Sequence, residues 1–175
     1  MSIKAFFGLV FAKIIVYQNN AWKKNAVKSQ QKIMLQIVDC AKNTLFGKKH
    51  SFKKIKSYND FKTNIPIRDY EDLKPYINQI IEGKKNILWP GKPLYFCKTS
   101  GTTSGTKYIP ISNESLPNHL RSARDAILSY ISETKNTSIV NGKMIFLQGS
   151  PKLSKKNGLL VGRLSGIVAH HIPYY

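Results

Sequence analysis

A short segment rich in hydroxyl groups and glycine is the part of this 175-residue chain best suited to binding an anion. It runs from Thr99 to Lys107, reads Thr-Ser-Gly-Thr-Thr-Ser-Gly-Thr-Lys, and lies between two apolar runs. Gly101 and Gly105 permit backbone conformations that turn successive N–H groups toward one anion. The hydroxyl groups add donors, and Lys107 adds a positive charge. The pattern favours a phosphate-binding loop between two strands over a plain hairpin loop, in which such clusters also occur.

The spacing of the two glycines excludes two familiar nucleotide-binding motifs. A Walker A loop has four residues between its glycines and a lysine directly after the second one. Here three residues separate Gly101 from Gly105, and Thr106 stands before Lys107. The dinucleotide fingerprint Gly-x-Gly-x-x-Gly is also absent from this segment. The segment therefore indicates another class of phosphate site.

The order of residues resembles the phosphate loop of the adenylate-forming superfamily, roughly Ser/Thr-Ser/Thr-Gly-Thr-Thr-Gly-x-Pro-Lys. Ser104 stands where that pattern has Gly, and Thr106 stands where it has Pro. The positions in register are Thr99, Ser100, Gly101, Thr102, Thr103 and Lys107. Because Ile109-Pro110 follows, the loop is most similar to that of the GH3 (auxin-responsive promoter) acyl acid amido synthetases.

Two earlier stretches are similar to the same family. Residues 41–52 match the pattern Ala-x-x-Thr-x-Phe-Gly-x-x-His-x-Phe. Ile65-Pro66, followed by the Tyr-Glu-Asp-Leu-Lys-Pro-Tyr-Ile of residues 70–77, is similar to the segment that comes next in the family. The resemblance runs from about residue 21 to the end, and it corresponds to the N-terminal portion of the family's proteins.

The resemblance implies a reaction, cofactors and a binding site. A carboxylic acid would attack the α-phosphorus of ATP to give an acyl-adenylate, and the amine of an amino acid would then displace AMP. ATP and Mg²⁺ are the implied cofactors, and the two acids are the implied small-molecule partners. No residue of this chain is assigned to catalysis or to metal binding. The implied ATP-phosphate site consists of Thr99, Ser100, Gly101, Thr102, Thr103, Ser104, Gly105 and Lys107.

The same resemblance implies that the chain is a truncated, N-terminal fragment. Later family motifs that bind adenine and ribose, and the C-terminal lid domain, would lie beyond Tyr175. We therefore expect no synthetase activity from the chain alone. Two alternatives stay open: a non-catalytic domain that binds nucleotide or anions and needs a partner chain, such as a missing C-terminal half, and a basic nucleic-acid-binding protein.

The charge balance bears on these alternatives. The formal net charge is +19, from 28 basic and 9 acidic residues. Such a charge fits either a polyanion-binding surface or a general richness in lysine. The lysines are scattered singly and in pairs, whereas nucleic-acid modules concentrate them in a stripe with arginine. We therefore favour general lysine richness and do not expect nucleic acid as a partner.

The cysteines and the N-terminus indicate a cytoplasmic protein without a membrane segment, and we expect no membrane among its partners. Cys40 and Cys97 lack the spacing of a metal or disulfide framework, and we expect both to be buried free thiols of a reducing compartment. The apolar run of residues 5–12 is interrupted by Lys13 and is much shorter than the ~20 residues that span a bilayer. We expect it to form a helix that packs on the domain.

The pattern of apolar residues predicts an α/β fold: the N-terminal part of an adenylate-forming domain, itself incomplete. Residues 1–90 are expected to be mainly helical and residues 91–175 to be α/β. A helix over 26–46 would bury Ile33, Ile37, Val38, Ala41 and Leu45 and end at Gly47. The other predicted helices cover 3–17, 57–63, 70–82 and 114–132, the last capped by Ser112 or Asn113. Strands are predicted over 94–96, 108–111 and 144–147, with a loop over 150–157.

A few polar residues outside the loop were weighed as site residues. Gly149-Ser150 would follow a strand end and either border a substrate pocket or form a plain turn. The pair His170-His171 has no carboxylate or cysteine nearby in the sequence, so we expect a structural role. His50 is likewise expected to be structural, and His119 to be solvated on a helix.

Overall fold

The computed structural model describes residues 2–99, 105–142 and 149–171. The N-terminal half is helical and contains α1 (Ile3–Asn20), α2 (Ala26–Ala41), α3 (Leu45–Lys49), α4 (Tyr58–Asn64) and α5 (Tyr70–Ile81). Further along lie β1 (Tyr95–Lys98), β2 (Tyr108–Ile111), α6 (Leu116–Thr134), β3 (Ser154–Lys156), β4 (Leu159–Gly162) and α7 (Leu164–Ala169). Short 3-10 turns cover Ala21–Asn25, Phe52–Lys54 and Ser138–Val140.

The four described strands form one mixed sheet in the order β2-β1-β4-β3. β1 is antiparallel to β2, with Cys97 opposite Ile109, and parallel to β4, with Phe96 opposite Val161. β3 pairs antiparallel with β4. The combination of helices with a small mixed sheet confirms the predicted α/β class.

Helices cover both faces of this sheet. On one face Phe96 and Val161 pack against the apolar side of α5, which contributes Tyr76, Ile77 and Ile80. On the other face the cluster consists of Cys97, Ile111, Leu116 and Ile167, the last two from α6 and α7. Phe96 and Ile167 are completely buried, so the central strand β1 lies in a dry core.

Helix α5 forms where the sequence predicts it. Asp69 accepts a hydrogen bond from the Asp72 N–H at 3.0 Å, and the Asp72 carboxylate accepts one from the Asp69 N–H at 3.3 Å. This reciprocal capping satisfies N–H groups that no helical carbonyl can reach. At the other end, Gly83 has φ +94°, a conformation that favours glycine, and the helix stops at Ile81.

The prediction of one helix over 26–46 is wrong, because α2 ends at Ala41. Thr44 caps a new helix: its hydroxyl donates to the Ala41 carbonyl at 2.7 Å and accepts from the Gly47 N–H at 3.0 Å. Gly47 therefore lies inside α3 instead of ending α2. The predicted apolar face is also only partly buried, since Val38 and Ala41 are covered while the others are not: Ile33, Ile37 and Leu45.

Strand β3 lies in the segment predicted to be a loop. Asn157 and Gly158 both have positive φ, +48° and +81°, and they connect β3 to β4 as a two-residue turn. Asn-Gly is the sequence most typical of such hairpin turns. The Asn157 side chain also donates to the Ile81 carbonyl at 3.1 Å, which ties the hairpin to α5. The predicted strand over 144–147 lies outside the described residues.

Helices α1 and α6 pack along each other. Ala5 and Ala12 are fully buried in α1, and Ala12 contacts Leu128 and Ile131 of α6. Helix α6 begins at Leu116, with Ser115 at the cap position instead of the predicted Ser112 or Asn113. Among the helices of the described residues, we find none whose length and apolar character would suffice to cross a membrane.

We expect Gly47→Ala to lower the free energy of unfolding by about 2–3 kcal/mol, because the interior must shift to accept the methyl group. An alanine Cβ at this position would lie 2.1 Å from the Ala41 carbonyl oxygen. Urea unfolding followed by circular dichroism measures the change. Gly142→Ala is the matched control, since among the described residues its Cβ would meet nothing closer than the Ser138 carbonyl oxygen at 3.6 Å. Equal stabilities of the two variants would contradict the close approach.

Removing the cap of α5 should also cost stability. Asp69→Ala is expected to lower the free energy of unfolding by about 1 kcal/mol, as the loss of an N-cap usually does. The control is Asp39→Ala near the end of α2, whose exposed ion pair with Lys42 at 2.7 Å contributes little. A loss for Asp39→Ala as large as that for Asp69→Ala would show that the capping box has no special role.

Candidate functional site

The predicted phosphate loop joins two neighbouring strands of the sheet. β1 and β2 are antiparallel, and the Thr99 N–H donates to the Lys107 carbonyl at 3.1 Å. The first and last residues of the loop are therefore held together at its base. Residues 100–104, which include five of the candidate phosphate-binding residues, lie outside the described residues.

Gly105 has the backbone conformation expected of a glycine that shapes such a loop. Its φ is +78°, a left-handed value that other residues rarely adopt. A Cβ built on Gly105 would meet no atom of the described residues within 4 Å, and the residue is exposed. The positive φ of the backbone is therefore the reason for a glycine at this position.

The residues at the exit of the loop, Lys107 and Tyr108, contact Tyr70, the first residue of α5. The Tyr70 hydroxyl accepts a hydrogen bond from the Tyr108 N–H at 2.8 Å, and the Lys107 ammonium lies 5.3 Å from the centre of the Tyr70 ring. A cation over an aromatic ring is attracted by the ring's negative face. The Lys107 side chain is thus positioned by Tyr70, a residue that was not singled out in the sequence. Its position inside the stretch at 70–77 was the available signal.

A second lysine stands close to the same group of rings. The Lys156 ammonium from β3 lies 4.3 Å from the centre of the Tyr108 ring, which packs edge-on against Phe96. Lys107 and Lys156 therefore lie over Tyr70 of α5 and Tyr108 of β2, respectively. This arrangement adds positive charge on the side of the sheet that α5 covers.

An open groove lies at the other end of β2. It has a volume of about 480 Å³ and is lined by Ile80, Ile87, Trp89, Pro110, Glu114 and Asn118, among others. The Trp89 indole donates to the Glu114 carboxylate at 2.9 Å. Hydrogen bonds from the Glu114 backbone, the Ser112 hydroxyl and the Trp89 indole lower the pKa of the Glu114 carboxyl. The groove borders the end of β2 that lies away from Lys107.

The residues of the 41–52 pattern serve the scaffold. Thr44 and Gly47 make the close turn between α2 and α3, as described above. Phe46 packs edge-on against Phe52 and Tyr76, at 5.8 and 5.3 Å between ring centres, and so joins two hydrophobic clusters. The buried His50 places Nδ1 3.1 Å from the Asn64 carbonyl oxygen, which confirms its predicted structural role.

The other residues considered from the sequence form hydrogen bonds with neighbouring parts of the fold. The Gly149 N–H donates to the Ser165 hydroxyl at 3.1 Å, and a Cβ there would approach the Arg163 side chain to 2.6 Å. Gly149 is therefore closely packed against Arg163. His170 and His171 bond to the Pro151 carbonyl and the Tyr95 hydroxyl, at 2.7 and 3.0 Å.

The two cysteines differ from each other. Cys97 is buried as predicted, and burial raises the pKa of its thiol. The prediction that Cys40 is buried is wrong, because it lies on the exposed side of α2. His119, expected to be solvated, is half-buried on α6.

Comparisons with known proteins agree on one family. The sequence model of the GH3 family N-terminal domain matches residues 17–174. A jasmonoyl–L-amino acid synthetase of Nicotiana attenuata is 28% identical over 142 residues, which cover 79% of this chain and 24% of that protein. An indole-3-acetic acid-amido synthetase of Arabidopsis thaliana is 28% identical over 141 residues, covering 79% of this chain and 23% of the relative.

A third relative is more similar over a shorter stretch. A jasmonoyl–L-amino acid synthetase of Oryza sativa subsp. japonica is 33% identical over 103 residues, which cover 57% of this chain and 17% of that protein. The matches to these three relatives thus span about a quarter of their length or less. Since the family model covers nearly the whole sequence, the chain belongs to the GH3 family and corresponds to its N-terminal domain.

Proposed function

We propose that this chain supplies the ATP-phosphate-binding part of a ligase that activates a carboxylic acid with ATP and joins it to the amine of an amino acid. The observation that carries the proposal is the loop of hydroxyl and glycine residues between β1 and β2, closed at its base by the bond between Thr99 and Lys107. The relatives named as jasmonoyl-amino acid and indole-3-acetic acid-amido synthetases support the two substrate classes. As part of this proposal, we assign the fold of the chain to the N-terminal part of an adenylate-forming domain.

The described ends of the loop fit a phosphate chain. Gly105 is exposed and has a positive φ, a backbone conformation suited to a tight loop. The role of the loop is to hold and orient phosphate oxygens with N–H and hydroxyl donors, as preorganised donors do at sites of developing charge. Lys107, positioned by Tyr70, supplies positive charge at the loop exit. The residues we assign are Thr99, Ser100, Gly101, Thr102, Thr103, Ser104, Gly105 and Lys107.

The remaining requirements of the reaction lie outside these residues. ATP, when bound, supplies the leaving group that activates the acid, and Mg²⁺ comes with it on phosphate oxygens. We assign no residue to the metal, because residues 2–99, 105–142 and 149–171 contain no group of three or more potential His, Cys, Asp or Glu ligands. We further propose that the chain alone does not complete the reaction and that it acts in the cytoplasm.

The loop assignment predicts the effect of removing one hydroxyl. Thr102→Val and Thr103→Val should each weaken ATP binding about tenfold or more, since each variant removes a hydrogen bond to a charged phosphate. Isothermal titration calorimetry of the 175-residue chain with ATP measures the dissociation constant. Thr63→Val is the matched control, because the Thr63 hydroxyl donates to the Asn59 carbonyl within α4. Equal affinity in all variants would refute the loop assignment.

Two further measurements separate the alternatives. We expect no carboxylate-dependent exchange between ATP and pyrophosphate, and exchange by the 175-residue chain would contradict the proposed inactivity. A nucleic-acid-binding protein would instead be supported by three observations on anion binding. The affinity would fall steeply with salt, it would be higher for nucleic acid than for ATP, and it would be unchanged in the loop variants.

A further inference from the structure

Helix α1 is apolar on two opposite sides, and α6 covers one of them. The covered side contains the small residues Ala5 and Ala12, which are completely buried and allow the two helices to approach closely. Hydrogen bonds fix both ends of α1: Ser2 donates to the Asn141 side chain at 3.0 Å, and Asn19 donates to Asp125 at 2.7 Å. The helix is therefore attached along α6 with its other side facing outward.

The outward side carries a continuous row of large apolar residues, which we call the apolar stripe. At about 3.6 residues per turn, its members share one face of the helix. The most exposed are 78% accessible and the least exposed 40%, and the members are Ile3, Phe6, Phe7, Val10, Ile14 and Tyr17. A contiguous apolar surface of this kind on a folded protein marks an interaction site.

Positive charge borders the apolar stripe on both sides. The helical repeat places Lys4 at one edge and Lys13 at the other. On the Lys4 side, the Arg124 guanidinium of α6, which is ion-paired with Asp125 at 2.7 Å, lies 6.0 Å from the centre of the Phe11 ring. The first 38 residues contain no Asp or Glu, and their lysines are Lys4, Lys13, Lys23, Lys24, Lys28 and Lys32.

We propose that α1 binds an anionic lipid surface by laying the apolar stripe into the boundary between headgroups and acyl chains. A helix with an apolar face and flanking lysines lies in the plane of such a boundary. The lysine stems cover apolar surface while their ammonium groups reach the anionic headgroups. A second copy of the chain is disfavoured as the occupant, because the formal net charges of +19 repel each other.

This proposal is independent of the phosphate loop. The family model begins at residue 17, so most of the apolar stripe lies outside the matched domain. The proposal also departs from the expectation of no membrane contact, which rested on the shortness of the apolar run. A helix that lies on a surface needs no spanning length.

Flotation of the 175-residue chain with lipid vesicles tests the proposal. We expect binding to vesicles of phosphatidylcholine and phosphatidylserine in equal parts, and much weaker binding to phosphatidylcholine alone. The double variant Phe7→Gln/Ile14→Gln should reduce binding at least about tenfold, because two large apolar side chains no longer enter the lipid. The double variant Lys4→Gln/Lys13→Gln should reduce it roughly fivefold per lysine.

The control variant alters exposed apolar residues away from α1. Tyr58→Gln/Ile67→Gln removes two apolar side chains that are at least as exposed as Phe7 and Ile14, and this variant should bind the vesicles like the unaltered chain. Unchanged helical circular dichroism and thermal midpoints would show that the variants are folded.

Three results would overturn the proposal. Equal binding by the unaltered chain and Phe7→Gln/Ile14→Gln would mean that charge alone attracts the protein. A lack of binding to both kinds of vesicle would exclude a lipid surface. Self-association in analytical ultracentrifugation that Phe7→Gln/Ile14→Gln abolishes, without lipid binding, would show that a second copy covers the apolar stripe.

Discussion

The packing of Phe96 against α5 is the contact that links the core of the sheet to the exit of the candidate loop. Phe96 lies on β1, between β2 and β4, and is completely buried. The helix that covers it begins at Tyr70, and this residue reaches the backbone of Tyr108 and the side chain of Lys107. Core packing and the geometry of the loop exit therefore depend on the same helix. A shift of α5 on the sheet would move the support of the lysine together with the core.

In some elements the capping residues and the apolar pattern agree, and there the sequence was sufficient to predict where the element begins and ends. In α5 the capping pair Asp69 and Asp72, the apolar side and Gly83 all indicate the same boundaries. In α2 they conflict: the apolar period continues past Ala41, but the Thr44 hydroxyl captures the Ala41 carbonyl and begins a new helix. Periodicity alone does not register such a cap.

The prediction of a loop at β3 failed for a different reason. The three exposed residues of this strand have no apolar alternation, so a hydrophobic pattern cannot reveal it. The turn Asn157-Gly158 was visible in the sequence and would have indicated a hairpin. At the candidate site the loop composition was readable. The stretch at 70–77 pointed to Tyr70 as part of the family pattern, but its hydrogen bond to Tyr108 could not be predicted because the two residues are 38 positions apart. The groove beside Trp89 was equally hidden, since it forms between segments distant in the chain.

The outer strands of the described sheet have a consequence for how the protein behaves at high concentration. An edge strand offers unpaired backbone groups to which a strand of another molecule can bond. β3 is only three residues long and carries Lys155 and Lys156, while β2 contains Pro110, which lacks an N–H. Each edge therefore contains a device that discourages intermolecular strand pairing. Both edges of the sheet formed by the described strands are in this way protected from pairing with the edge of another molecule.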